Sequence, residues 1–289
     1  MLFLDNLTNL LQPFLNNLLA LMKDAPVIVV VMAFFLSWVG CWLPVAVTLL
    51  RLLHWQPLKP LQPQQKLPLI VSLYLLAPLM IWGVMGLTNS SIGNYGFTAN
   101  FTLLSSLALG FGLGLLSIAV LYIFQFWLGW CDWEKSNIQQ LPAIFLPILL
   151  IALLVGGIEE LVFRGFLLTE LEREYPLWLA AVISSLIFAG LHLVWEQRET
   201  IPQLPGLWLL GMMLVLARIS DRGNLGIAWG LHSALVWAIA TIDTAQLITY
   251  TGTVSEWWTG KNKKPLAGVA GIVCVVVTGL ILWLFSKLF

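Results

Sequence analysis

The chain has 289 residues, 60% of them hydrophobic and only 10% charged, with a mean hydropathy of +0.91. A soluble domain carries roughly 25% charged residues, so this is the composition of an integral membrane protein. Its 14 basic and 14 acidic residues cancel, which excludes both the basic footprint of a nucleic-acid binder and an acidic tail.

Residues 1–26 begin with Phe3, Leu7, Leu10, Leu11, Phe14 and Leu15 at spacings of three and four, with Asp5, Asn6, Asn9, Gln12 and Asn16 largely on the other face. That periodicity predicts an amphipathic helix, lying in the membrane interface or packed on the bundle. Asp5 precedes any basic residue and Lys23 comes late, so no cleavable leader is expected.

A spanning helix needs about 20 apolar residues. Such runs fall at about 27–50, 68–88, 100–128, 142–169, 177–195, 205–218, 225–248 and 266–287, eight in all, the sixth short. Between them, "HWQPLKPLQPQQK" and "SEWWTGKNKKP" read as loops, and His54 and Trp55 as interfacial anchors. Strict alternation places eight Lys and Arg beyond the odd-numbered helices and five on the other side, a small bias that favours the first set as cytoplasmic. No repeat and no soluble domain is evident, so residues 27–289 read as one transmembrane bundle. Cys41, Cys131 and Cys274 lack C-x-x-C spacing and read as inert packing residues.

Against this background "GGIEELVFRGF" stands out, because Glu159, Glu160 and Arg164 follow directly on an apolar run. An ionisable side chain at the bilayer centre costs at least about 2.5 kcal/mol, so such residues are rare and face protein interior. Glu160 and Arg164 are one helical turn apart and can pair, while Glu159 points about 100° away. Glu159 is then the unpaired carboxylate, suited to general base chemistry. The plainer alternative is a charged helix end, since "LTELERE" follows.

Two of the three histidines also lie in spanning runs. His192 closes "FAGLH" with Phe188 one turn before it, and His232 stands in "GLHSALV". A lone intramembrane His is commonly a packing residue, but ionisable groups on three helices must find partners. Gly156, Gly157, Gly165, Gly190, Gly226 and Gly230 lie within a few residues of them and allow close helix approach.

In this order, "EELVFR", "FAGLH" and "GLHSALV" resemble the CAAX-protease and bacteriocin-processing family, which includes the Ras-converting CAAX endopeptidases, over about residues 141–250. The resemblance implies an all-α, eight-helix intramembrane peptidase fold. It implies a catalytic set of Glu159, Glu160, His192 and His232, with Arg164 and Phe188 in support. Glu159 resembles the glutamate that activates water, with Glu160 and Arg164 as its supporting pair. His192 resembles the second water-positioning residue, and His232 the histidine that stabilises the oxyanion. Family members with peptidase activity usually carry Asn or Asp four residues after the last His; here that position is Val236.

The leading expectation is therefore hydrolysis of a peptide bond near the end of a hydrophobic or lipid-anchored protein, within the bilayer. A binding scaffold that keeps the polar cluster for stability, favoured by Val236, is the first alternative, and a transporter with an ionisable relay the second. A divalent metal such as zinc would draw on Glu159, His192 and His232, but no H-E-x-x-H pair sets two ligands on one helix face. A glutamate-and-water reaction needing no cofactor is the expectation.

Overall fold

The computed structural model describes residues 25–57, 59–88, 90–195 and 197–288. The amphipathic helix expected over residues 1–26 lies outside them, apart from its last two positions. Among the described residues, eight helices are long and apolar enough to cross a membrane, as the sequence predicts. The chain is an integral, multi-pass, all-α membrane protein.

The spanning helices are α1 (Val27–Leu52), α2 (Pro63–Thr88), α3 (Phe101–Trp127), α4, α5 (Leu177–Leu191), α6 (Leu204–Ser220), α7 (Gly226–Ala245) and α8 (Val269–Leu288). Helix α4 is composite: an α-helix Leu141–Glu159, a π-helical stretch Glu160–Leu167 and a last α turn Leu168–Leu171. Proline in the first turn starts α4 and α6, where its missing N–H is not needed. At α3 the Asn100 side chain accepts the Leu103 N–H at 3.0 Å, an N-cap. The expected short sixth helix is not short: turns at Gln197–Thr200 and Ile201–Gln203 lead into it, giving a 24-residue span, Gln197–Ser220. Its opening is polar, which hides it from a hydropathy reading.

The described residues form two compact units. The first runs to Asn94 and takes in Glu170–Glu174. There Trp38 Nε1 donates to Leu73 O at 3.0 Å and Trp42 Nε1 to Ser72 Oγ at 3.0 Å, joining α1 to α2. The α1 N-terminus is held by Glu174, whose Oε1 accepts the Val27 N–H at 2.7 Å.

The second unit, Tyr95–Thr169 and Tyr175 onward, contains α3, α5 to α8 and nearly all of α4. Helices α3 and α7 run parallel and touch backbone to backbone. A Cβ added to Gly110 would overlap Ile227 O, and one added to Gly230 would overlap Leu107 O. Glycine at these crossings replaces side-chain volume with van der Waals contact, the packing available where lipid supplies no hydrophobic drive. The end of α3 and the end of α7 are tied by a short antiparallel pair, β1 (Cys131–Trp133) with β2 (Ile248–Tyr250). Asn137 Nδ2 donates to Gln246 O at 3.0 Å, so the start of α4 shares that end of the unit. Lys135, Arg198, Lys261, Lys263 and Lys264 lie in the connections there.

The three cysteines are free. Cys131 is buried, and burial pushes its thiol above the ordinary value; Cys41 is instead exposed on α1, a departure from the packing role expected for it.

Candidate active site

The site is built on one irregularity. Where α4 turns from α to π geometry, Glu159 closes the α-helix and Glu160 opens the π stretch. Single π turns inside α-helices recur at functional sites. Here the stretch is buried along its whole length, Glu160–Leu167, and is pinned from outside. Ser184 Oγ on α5 donates to Phe163 O at 3.0 Å. Arg218 on α6 donates to Arg164 O through Nη1, and to Thr169 Oγ1 at 3.0 Å through Nη2. Its Nε donates to Gly223 O at 3.2 Å.

The polar chain starts at Arg164. Its Nη1 donates to Glu160 Oε1 at 3.0 Å, both side chains being at most 1% exposed. Its Nη2 donates to Gly211 O on α6 at 3.2 Å. The guanidinium also lies 4.4 Å from the Phe188 ring centre, within cation–π range. This is the pair the one-turn spacing predicts.

Glu160 Oε1 also receives His232 Nδ1 at 2.7 Å. A carboxylate that is paired with arginine only accepts, so Nδ1 carries hydrogen and the ring's other nitrogen is left for chemistry. That nitrogen, Nε2, is 3.6 Å from Glu159 Oε2. Here the sequence expectation fails in one respect: Glu159 is not unpaired, because His232 from α7 reaches it. Spacing along α4 cannot show a partner on another helix. At 3.6 Å the contact is longer than a direct hydrogen bond, and it is at the centre of the cluster.

His192 joins more loosely. Its Nδ1 donates to Phe188 O at 2.8 Å; a carbonyl accepts only, so Nε2 bears the lone pair. The Phe188 ring is the common neighbour, 4.8 Å from the His192 ring and 5.9 Å from the His232 ring, centre to centre, and edge-on to both. Arg164, Glu160 and His232 are thus hydrogen-bonded into one chain, with Glu159 against its His232 end, and Phe188 links His192 to it.

A cavity of about 390 Å³ opens beside them. Phe188, His192, His232 and Val236 form part of its wall, and Asp243 and Lys264 line it toward the basic end of the unit. His232 and Asp243 are separated by roughly 16 Å along α7, at 1.5 Å per residue. Glu159 is 6% exposed and is absent from the wall; it stands behind His232. Val236 presents an apolar head to the cavity, and Ser233 is turned away from it, fully buried against Gly156.

Among the described residues no three His, Cys, Asp or Glu stand together in a way that would hold an ion, Glu159, His192 and His232 included. His232 Nδ1 and His192 Nδ1 are both committed to other acceptors.

Sequence reasoning missed three contributors. Arg218, one of the five basic residues that strict alternation assigns to the smaller side as a loop cation, is 8% exposed and holds the π stretch; the rule that singles out Arg164 applies to it equally. Asp221 accepts Ser106 Oγ at 2.7 Å and the Ile227 N–H at 3.1 Å, capping the helix that carries His232. Trp229 Nε1 donates to Leu153 O at 2.8 Å, with its ring in the space left open by Gly157.

Residues 141–238 match the family described as type II CAAX prenyl endopeptidase Rce1-like. The match falls on the segment carrying the three motifs and bears out the resemblance to the CAAX-protease family. A protein of Escherichia coli described as an uncharacterized 24.3 kDa protein is 34% identical over 89 residues, which cover 30% of this chain and 40% of that protein. The chain therefore spans less than half the length of that relative. No solved structure matches it significantly.

Proposed function

We propose that the protein is an intramembrane endopeptidase that cuts a hydrophobic or lipid-anchored peptide near its end, using Glu159, Glu160, His192 and His232. The observation that carries this reading is the chain Glu159, His232, Glu160, Arg164, of which His232 reaches the wall of a largely apolar cavity that His192 also lines. With both ring nitrogens of His232 protonated, the cluster holds two carboxylates and two cations. It is neutral as a whole, which is what a low-dielectric interior demands.

The reaction follows from those charges. Glu159 takes a proton from a water whose second hydrogen is accepted by His192 Nε2. The hydroxide adds to the scissile carbonyl. His232 donates its Nε2–H to the oxyanion, steadied through Nδ1–H by Glu160, which Arg164 in turn holds. The tetrahedral intermediate then collapses, the C–N bond breaks, and the departing nitrogen takes the proton held by Glu159. This scheme requires no metal, so cleavage is expected to persist in strong chelators.

Orientation follows from the same unit. The cavity is lined at its basic end by Lys264, in the connection that also carries Lys261 and Lys263. By the positive-inside rule that end is cytoplasmic. The "EELVFR" segment lies toward the other end of α4, while the cavity lining follows α7 from His232 to Asp243.

The test compares membrane peptide termini by mass spectrometry in wild type, a deletion strain and Glu159→Ala. New termini found only with wild type support the reading. Identical termini in all three would sink it. Val236 favours the scaffold reading: it leaves His232 without a polar neighbour one turn on. That reading predicts that Glu159→Ala complements the deletion fully.

A further inference from the structure

The cavity is not uniform. One wall is hydrocarbon, from Leu207, Leu210, Leu235, Val236 and Ile239. Beside it, on the turns that follow His192 and lead into α6, is a short polar edge, Thr200 and Gln203, spaced i, i+3. Neither residue belongs to the motifs that mark the catalytic set.

Both carry hydrogen-bonding capacity in reserve. Thr200 is 6% exposed, and its hydroxyl donates to His192 O at 3.4 Å, a long bond that is readily given up. Gln203 Nε2 uses one hydrogen on Glu199 O at 2.8 Å, which leaves a second amide hydrogen and the carbonyl oxygen. The edge is also rigid: Gly206, just inside α6, lets Leu266 O press against the helix backbone.

A peptide entering such a cavity brings a difficulty with it. Each residue carries an N–H and a C=O that must be satisfied once water is stripped away. The apolar wall can hold side chains but not these groups. With one hydrogen spent on Glu199, the Gln203 amide still offers one donor and one acceptor, the complement of a peptide group. It is also indifferent to side-chain identity.

We propose that Gln203, with Thr200 beside it, is the main-chain subsite for substrate. Its amide pairs with a peptide group next to the scissile bond, and so places the scissile carbonyl at His192 and His232. The ligand class is an extended peptide backbone, recognised whatever its side chains. This inference rests on the peptidase reading.

The test uses the full chain reconstituted in liposomes and a lipid-anchored peptide that wild type cleaves and Glu159→Ala does not. The peptide is then N-methylated at one amide at a time. Gln203→Met keeps the length and removes the hydrogen bonds, and Thr200→Val keeps the shape. Gln203→Met is expected to raise KM about 2- to 10-fold, the range for one neutral hydrogen bond at a half-buried site, with kcat within about threefold. Thr200→Val is expected to raise KM less. One N-methyl position should cost wild type a similar factor and cost Gln203→Met nothing more, because both changes remove one bond. A purely structural role would give no such coupling.

An unchanged KM in a Gln203→Met protein that melts like wild type overturns the proposal. If that variant does not fold, the N-methyl series on wild type decides alone: insensitivity at every position overturns it equally. Absence of any Glu159-dependent cleavage by wild type removes the peptidase reading itself, and the subsite with it.

Discussion

Two ion pairs in this molecule have the same length and different consequences. Arg164 and Glu160 meet at 3.0 Å with side chains 1% and 0% exposed. Lys264 and Asp243 also meet at 3.0 Å, with side chains 31% and 37% exposed. In the first pair each ion has lost its water, so its partner is the main thing keeping it charged, and removing either one strands the other. In the second, water replaces whichever partner is lost, and salt screens the attraction. Distance is no guide to what such a contact contributes; burial is. The first pair also orients His232, whereas the second stands at the cavity's basic end, where it can open without disturbing the fold.

The contrast can be broken at several places. Arg164→Ala should be the most damaging change, costing about 3–5 kcal/mol by stranding a buried carboxylate. Thermal unfolding in detergent would show it, and replacing Glu160 by Gln in the same chain should recover part of the loss. A wild-type melting curve for Arg164→Ala would mean the cluster is hydrated after all. Next comes Gly230→Ala, which drives a methyl group into Leu107 O; about 1–3 kcal/mol is expected from forced separation of α3 and α7, measured in the same way.

Asp221 tests the capping of α7. Asp221→Ala should cost about 0.5–2 kcal/mol, and Asp221→Asn, which keeps an acceptor, less. Burial raises the Asp221 carboxyl above its usual value, opposed by hydrogen bonds from Ser106 and the Ile227 and Gly226 backbone. A raised value means that the folded protein holds this proton more tightly than the unfolded chain. Its stabilising contribution is thus complete below the ordinary carboxylate range and is lost as pH rises through the raised value. Asp221→Asn should therefore gain on wild type in melting temperature as pH climbs through that window; a constant difference would refute the assignment. Lys264→Ala should be mildest, within about 1 kcal/mol and less in high salt, and a larger loss would mean the pair is drier than its exposure implies.

Much of the architecture was legible along the chain. The runs that become α1, α3, α5 and α7 were marked within a few residues, because a spanning helix is set by composition over some twenty positions and needs no partner to be recognised. The Glu160–Arg164 pair was legible for a similar reason: both ends lie on one helix, one turn apart. What failed were features belonging to two elements at once. Glu159 read as unpaired because its neighbour, His232, comes from α7. Arg218 read as a loop cation because the carbonyl it holds belongs to Arg164, more than fifty residues away. The start of the sixth span is hidden because Gln197–Gln203 is largely polar, and three of those residues, Glu199, Thr200 and Gln203, line a cavity that the sequence does not display.

The sequence by itself determined that this chain lives in a membrane, how many times it can cross, and which few ionisable residues cannot be left to face lipid. Those follow from the free energy of single groups in hydrocarbon, which is local and additive enough to read residue by residue. Only the tertiary structure decided which nitrogen of His232 meets which carboxylate, that Phe188 joins the two histidines, and that one cavity is lined both by those histidines and by Lys264. Those depend on angles and distances between helices, fixed where Gly110 and Gly230 let two backbones touch, and no spacing within one helix encodes them.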